Sequence, residues 1–101
     1  MTELTKRANE MSRRELAQYI DYSVLKPEFT EEEIITLTKD GVELGCATIC
    51  INPGYMELCE PYVKGSATML CPVTDFPFGT SSTASRVQQI EDVAKYDSVK
   101  E

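Results

Sequence analysis

The chain has 101 residues, of which 42% are apolar and 27% are charged, so it is long enough for one compact domain and too short for two. Its net charge of −7 argues against binding of DNA or RNA through phosphates, which needs clustered lysine and arginine. The sequence contains no histidine, and this excludes Ser-His and Cys-His catalysis and imidazole metal sites.

The apolar runs are only a few residues long, so we expect no membrane span. The polar start lacks the apolar region of a secretory signal, and we expect a cytoplasmic protein. The cysteines form no CxxC pair, and we expect them to be reduced structural thiols rather than disulfides or metal ligands. They are Cys46, Cys50, Cys59 and Cys71.

The first predicted elements are a short helix and a short strand. A capping box that begins at Ser12 predicts a helix over residues 13–18, with Leu16 on its inner face. Residues 19–21 then have the composition of a very short strand, which would end at Asp21.

A second capping box begins at Thr30 and predicts a longer helix that stops at Gly45. Glycine inside a helix costs about 1 kcal/mol relative to alanine unless close packing requires it. The inward positions of this helix recur at helical spacing and are Ile34, Leu37, Gly41 and Leu44.

A continuous apolar and β-branched run over residues 46–51 predicts a parallel strand buried on both faces. Asn52 followed by proline predicts an N-cap and a helix that Gly65 ends, with Pro61 awkwardly placed in its last turns. Residues 67–74 form the next strand candidate.

The last part of the chain predicts a turn over residues 76–79 and a final helix capped by Ser81 or Ser82. We expect residues 97–101 to be frayed. The apolar stripe of the final helix is formed by Val87, Ile90, Val93 and Ala94.

This alternation of strands and helices predicts a parallel α/β sheet with right-handed crossovers in a single domain over residues 1–101. Reactive groups in such folds gather where strands end and helices begin. Each candidate there also has a purely structural interpretation: a turn or cap carboxylate, a core thiol, or a turn before proline. The candidates are Asp21, Cys50 with Asn52, and Thr74 with Asp75 and Phe76.

Four segments in order resemble the deoxyribose-phosphate aldolase family. They are YIDYSVLKP at 19–27, TEEEI at 30–34, CATICINP at 46–53 and FPFG at 76–79. The resemblance runs from about Leu16 to about Val93, and it is to the amino-terminal part of such an enzyme.

The resemblance implies a TIM (β/α)8 barrel, which needs roughly 250 residues. This chain would supply about three of its eight strands and an N-terminal helix. The family joins acetaldehyde to glyceraldehyde 3-phosphate reversibly through a lysine Schiff base, without metal or organic cofactor. Its catalytic lysines, its proton-relaying acid and its phosphate-binding loops come from later strands, so we expect no catalytic residue here and no activity of the isolated chain.

What carries over from the family is the wall of the pocket for a sugar phosphate. These residues are Asp21, Cys50, Val73, Thr74 and Phe76. Lys26 matches a family lysine that does not form the Schiff base, and it is a secondary candidate. The sequence departs from the family at Tyr22, where histidine is usual, and at Asp75, where glycine is frequent. Pro72 also falls in a predicted strand, where it removes a hydrogen-bond donor.

Other interpretations remain open. The chain is alternatively a non-catalytic interaction module, because an incomplete barrel leaves strand edges and an unfilled interior that favour self-association. A complementing chain would equally complete the barrel. A small-molecule binding domain of the flavodoxin type is disfavoured because no phosphate-cradling loop is present.

Overall fold

The computed structural model describes residues 6–101, and the expectation about the polar start falls partly on residues 1–5, outside this range. In the described range, helices and strands alternate. They are α1 (Arg13–Ala17), β1 (Asp21–Val24), α2 (Glu31–Leu44), β2 (Thr48–Ile51), α3 (Met56–Val63), β3 (Met69–Pro72) and α4 (Thr83–Ala94). Single 3-10 turns lie at Ala8–Glu10 and Pro53–Tyr55. None of the helices within residues 6–101 has the length and apolar character needed to cross a membrane.

The three strands form a parallel sheet in the order β1-β2-β3, as the alternation predicted. Because side chains alternate along a strand, the register divides the sheet into two faces. The face toward the helices, here the helix face, carries Tyr22, Val24, Ile49, Ile51, Leu70 and Pro72. The opposite face, here the open face, carries Asp21, Ser23, Thr48, Cys50, Met69 and Cys71.

The hydrophobic core lies between the helix face and helices α2 and α3. Ile49, Ile51 and Leu70 are fully buried there. The core explains the glycine inside α2: a Cβ atom at Gly41 would collide with the Cδ1 atom of Ile49 and would lie 3.0 Å from a ring carbon of Tyr22. Close packing of the helix on the sheet therefore requires glycine at this position.

Both predicted capping boxes are present. The Ser12 and Thr30 hydroxyls each accept a hydrogen bond at 3.1 Å from the backbone N–H three residues later. Helix α2 ends at Gly45, whose φ of 81° lies in the left-handed region that glycine adopts without strain.

The first strand begins where it was predicted to end. The backbone N–H groups of Tyr19 and Ile20 bond back to the carbonyls of Leu16 and Ala17 and close a turn after α1. Residues 19 and 20 are thus occupied by this turn, and Asp21 is the first residue of β1 rather than its last.

Several side chains predicted to face the core are exposed instead. In α1 the buried residue is Ala17, and Leu16 is exposed. Leu44 at the end of α2 is also exposed. In α4, Val87 is 47% and Ile90 52% exposed, whereas Val93 is buried. In the described part of the chain, no element packs on the part of the apolar stripe that precedes Val93.

The other boundaries differ by a turn or less. Strands β2 and β3 are shorter than the apolar runs that predicted them. Asn52 precedes a 3-10 turn and its side chain makes no cap hydrogen bond, so α3 begins only at Met56. Gly65 follows the end of α3 with a φ of 82°. Ser82 is the N-cap of α4.

The end of the described chain is paired rather than frayed. Val99 forms a parallel bridge with Leu70, the N–H of Leu70 donates to the carbonyl of Ser98 at 2.7 Å, and the N–H of Lys100 donates to the carbonyl of Leu70 at 2.9 Å. Unpaired backbone groups on β3 thus find partners in residues 98–100. This segment lies where a fourth strand of the sheet would begin.

Candidate functional site

Polar and sulfur-bearing side chains gather on the open face. The register places Ser23, Cys50 and Cys71 in one row across the three strands, with Asp21 and Thr48 in the row below. Asp21 and Ser23 are exposed, and the two thiols are partly buried. A sheet face with such residues is chemically unlike the apolar helix face.

Asp21 is held by its strand neighbour. The buried Thr48 hydroxyl donates a hydrogen bond of 2.6 Å to Oδ1 of Asp21. The side chain is thereby oriented across the open face, although Asp21 lies at the amino-terminal end of β1 and not at the carboxyl end where the sequence had placed it. The second oxygen, Oδ2, takes no part in this bond.

The two partly buried thiols influence each other. Burial raises the pKa of Cys71 to about 12, and the neighbouring Cys50 thiol and two nearby carboxylates add to this. Burial also raises the pKa of Cys50, while a hydrogen bond with Cys71 opposes the shift. The carboxylates are those of Asp21 and Glu101. Both thiols are therefore neutral at physiological pH.

A convergence of metal-binding atoms accompanies these thiols. One ligand atom each from Asp21, Cys71 and Glu101 lies within 4.8 Å of the other two. The three come from β1, from β3 and from the segment that pairs with β3. Sequence reasoning missed Cys71 and Glu101, although aligning the predicted strands would have placed Cys71 beside Cys50.

The loop after β3 is organised by Asp75. Its carboxylate accepts hydrogen bonds from the N–H and the hydroxyl of Ser81, both at 2.8 Å. Its backbone N–H donates to Oε1 of Gln89 at 2.9 Å. Arg86 lies 3.9 Å from the same carboxylate.

Asp75 also has a φ of 52°, in the left-handed region that glycine adopts without strain, and the resembling family often has glycine at this position. Aspartate tolerates this conformation when its side chain bonds to the local backbone.

The remaining predicted wall residues lie between the end of β3 and this loop. Val73 and Thr74 follow β3 directly and are partly buried, whereas Phe76 is 58% exposed. The structure thus brings Asp21 and Cys50 to one face and places Val73, Thr74 and Phe76 at the carboxyl end of β3.

Lys26 lies apart from both groups. It is exposed in the loop after β1, and its Nζ atom is 5.9 Å from the centre of the Phe29 ring, a distance that suits a cation–π contact.

Together these features define a class of fold, namely parallel β/α units whose helices pack on one side of the sheet. This is the arrangement found in part of a (β/α)8 barrel, where the helices surround the strands. Comparison with known proteins agrees. The chain is 40% identical over 76 residues to the deoxyribose-phosphate aldolase of Clostridium kluyveri, covering 75% of this chain and 35% of that enzyme. It is 36% identical over 85 residues to that of Dictyoglomus turgidum, covering 84% and 39%.

Solved structures match as well. A protein from Coccidioides immitis assigned to the deoxyribose-phosphate aldolases superposes with a TM-score of 0.77 at 28% identity, over 83% of this chain and 33% of that one. The deoxyribose phosphate aldolase of Aeropyrum pernix, whose structure is described as tetrameric, gives 0.73 at 25% identity, over 80% and 35%. No protein-family profile matches the chain.

These matches confirm the resemblance drawn from the sequence motifs: the chain is a relative of the deoxyribose-phosphate aldolases, consistent with a match to their amino-terminal part. Its fold is an incomplete set of the parallel β/α units of their TIM barrel. The chain spans little more than a third of the length of the curated relatives it matches.

Proposed function

We propose that this chain provides the amino-terminal β/α units of a deoxyribose-phosphate aldolase barrel and does not catalyse the reaction alone. The completed barrel would cleave 2-deoxyribose 5-phosphate reversibly to acetaldehyde and glyceraldehyde 3-phosphate through a lysine Schiff base. The observation that carries this proposal is the open face, where the polar and sulfur-bearing side chains are exposed or half-buried except for Thr48, as on the interior side of an unclosed barrel.

In this proposal the chain contributes the pocket wall and no catalytic residue. The wall consists of Asp21, Cys50, Val73, Thr74 and Phe76, as the family resemblance implied. The substrate is a small sugar phosphate, and the chemistry needs no cofactor. The chain acts as a single domain over residues 1–101.

The lysines support the absence of independent catalysis. A Schiff-base lysine must be neutral to attack a carbonyl, and enzymes achieve this by burial or by a second cation nearby. All six lysines of this chain are exposed. Lys26, the secondary candidate, lies exposed in the loop after β1, and its Nζ atom is 5.9 Å from the centre of the Phe29 ring.

Borohydride trapping tests this part of the proposal. The purified chain is incubated with acetaldehyde or 2-deoxyribose 5-phosphate, reduced, and mapped by mass spectrometry. We expect only weak, scattered modification of exposed lysines, equal in the Lys26→Arg and Lys39→Arg variants. A stoichiometric, substrate-dependent adduct on Lys26 would contradict the proposal.

Complementation tests the aldolase assignment itself. The chain is co-expressed with the part of the Clostridium kluyveri enzyme that it does not match, and cleavage of 2-deoxyribose 5-phosphate is measured. We expect activity that neither part shows alone. We also expect Asp21→Asn to reduce it at least about tenfold, as removal of a polar group that contacts substrate does, and Asp40→Asn, on the exposed side of α2, to leave it unchanged. Absence of activity from a soluble complex would argue against the assignment.

A second candidate function is a non-catalytic module that associates with itself or with a complementing chain. Exposed apolar side chains on the last β/α unit favour it, since such patches mark interaction surfaces. They are Phe76, Phe78, Val87 and Ile90. Sedimentation distinguishes the cases: we expect concentration-dependent association, and a stable monomer at high concentration would contradict self-association.

The cysteines support a cytoplasmic location. All four are free in the structure, and Cys46 and Cys59 are buried as structural thiols. Reduced thiols are typical of a reducing compartment.

A further inference from the structure

We propose that two copies of this chain pair through the edges of their sheets and close an eight-stranded parallel barrel. In this dimer, β1 of each copy pairs with residues 98–101 of the other. The proposal rests on the self-association candidate above, for which it names the partner and the contact, and not on the aldolase assignment. The contact is formed by strand edges and not by the exposed apolar side chains of the last β/α unit.

The outer edge of β1 presents unpaired backbone groups. The N–H of Thr48 donates to the carbonyl of Ile20, and along a parallel ladder every second residue bonds to the same neighbouring strand. The backbone groups of Asp21 and Ser23 therefore point away from β2. Within residues 6–101, no strand lies on that side of β1. An edge of this kind is a template for pairing with a strand of another chain.

Residues 98–101 present the second edge. The carbonyl of Ser98 and the N–H of Lys100 both bond to the backbone of Leu70 on β3. By the same alternation, the carbonyl of Val99 and the N–H of Glu101 point away from β3. In the part of the chain that the structure describes, neither of these two groups has a hydrogen-bond partner.

The two edges are complementary. In a parallel pair, one residue donates its N–H to a carbonyl of the neighbouring strand and accepts a hydrogen bond from the N–H two residues further along that strand. Val99 and Glu101 of one copy offer this carbonyl and this N–H, and the outward groups of Ser23 in the other copy match them. The contact thus satisfies backbone groups that each copy alone leaves unpaired.

Charges of opposite sign accompany the two edges. Val99 packs against the hydrophobic core, so the side chain of Lys100 lies on the other side of the sheet, the side on which Asp21 lies. Both Asp21 and Lys100 are exposed, and neither forms a salt bridge within residues 6–101. Pairing at Ser23 brings Asp21 of one copy to about 7 Å, or two residues along the strand, from the position opposite Lys100 of the other. The edges therefore attract each other.

The number of strands selects a second copy as the partner. Each copy has three strands and, in the segment that pairs with β3, the beginning of a fourth. Barrels built from parallel β/α units close with eight strands, the number that two copies supply. Because the same two edges meet at both junctions, a two-fold axis relates the contacts and no edge is left free. The open faces then line the interior.

Sedimentation equilibrium of the whole chain tests this closure. We expect a monomer–dimer equilibrium that ends at the dimer, because a closed barrel offers no edge to a third copy. A chain that remains monomeric would overturn both this proposal and the self-association candidate. Oligomers that keep growing with concentration would overturn this proposal and leave that candidate standing.

A proline on the edge locates the contact. Ser23→Pro removes an N–H that points away from β2, so it blocks edge pairing and leaves the bonds between β1 and β2 in place. We expect the dissociation constant of the dimer to rise at least about tenfold. Phe78→Ser, at a side chain that is 82% exposed on the apolar patch, should leave the dimer unchanged. The opposite result in these two variants would overturn the proposal.

A charge exchange provides the second test and decides alone if Ser23→Pro does not fold, which circular dichroism shows. We expect Lys100→Glu to weaken the dimer several-fold and Asp21→Lys, added to the same chain, to restore it. Lys39→Glu makes the same change of net charge on α2 and should leave the dissociation constant unchanged. Equal effects of Lys100→Glu and Lys39→Glu, or no restoration in the double variant, would contradict the proposed pairing.

Discussion

Thr48 and Ile49 are neighbours on β2, both fully buried, yet they lie on opposite faces of the same sheet. Ile49 is enclosed by apolar side chains of the helix face and by the close approach of α2 at Gly41. Thr48 belongs to the open face and satisfies its hydroxyl on Asp21. Burial therefore has two origins in this sheet: apolar packing under helices on one face, and hydrogen bonding between polar side chains on the other.

The largest expected effect comes from weakening the helix face. Ile49→Ala removes a fully buried side chain from the centre of the core, and we expect it to lower the free energy of unfolding by about 2–5 kcal/mol. Urea denaturation measures this loss. If the variant does not fold, Ile49→Val should still show a loss of about 0.5–1.5 kcal/mol. The matched change on the open face, Met69→Ala, should cost clearly less, because Met69 is only partly buried.

The approach of α2 to the sheet can be tested at its glycine. Gly41→Ala gains about 1 kcal/mol in helix propensity. It also forces a methyl group against Ile49 and Tyr22, at a cost of about 1–3 kcal/mol. We expect a net loss of up to about 2 kcal/mol in unfolding free energy. Gly54→Ala is the control, because a Cβ there meets nothing within 4 Å. A stabilised Gly41→Ala variant would contradict this expectation, because it would show that the Ile49 and Tyr22 side chains can shift to accommodate the methyl group at little cost in free energy.

A smaller effect is expected on the open face. Thr48→Val keeps the shape of the side chain and removes the hydrogen bond to Asp21. We expect a loss near the lower end of about 0.5–1.5 kcal/mol, because Asp21 is exposed and water can replace the lost donor. Ser23→Ala, on the same face but outside the Thr48–Asp21 hydrogen bond, should change stability less. A loss as large as that of Ile49→Ala would mean that the two faces contribute equally.

The last expected effect is confined to alkaline pH. The folded state raises the pKa of the Cys71 thiol from 9.0 to about 12, so it holds its proton more tightly than the unfolded chain does. The corresponding stability is fully present below about pH 9 and is lost as the pH rises toward about 12. Cys71→Ser lacks this thiol and should not show the loss. We therefore expect the unfolding free energy of the variant minus that of the unmodified chain to increase between about pH 7 and about pH 10. A constant difference over that range would contradict the raised pKa.

Local signals in the sequence predicted much of this fold because they act over a few residues. Capping boxes at Ser12 and Thr30 and the glycine at position 45 fixed the start of α1 and both ends of α2. The run of β-branched residues predicted β2 for the same reason. The first strand was misplaced because hydrogen bonds that close α1 compete for residues 19 and 20, and this competition is not visible in residue type.

The class of fold, the family resemblance and the candidate residues Asp21 and Cys50 were predictable from the amino-acid sequence, because strand alternation and ordered motifs are properties of the chain. The folded arrangement was needed to show that Cys71 and Glu101 lie close to Asp21, and that Val87 and Ile90 remain exposed. The reason is that register across strands and coverage by other elements depend on contacts between residues far apart in sequence, which no local pattern records.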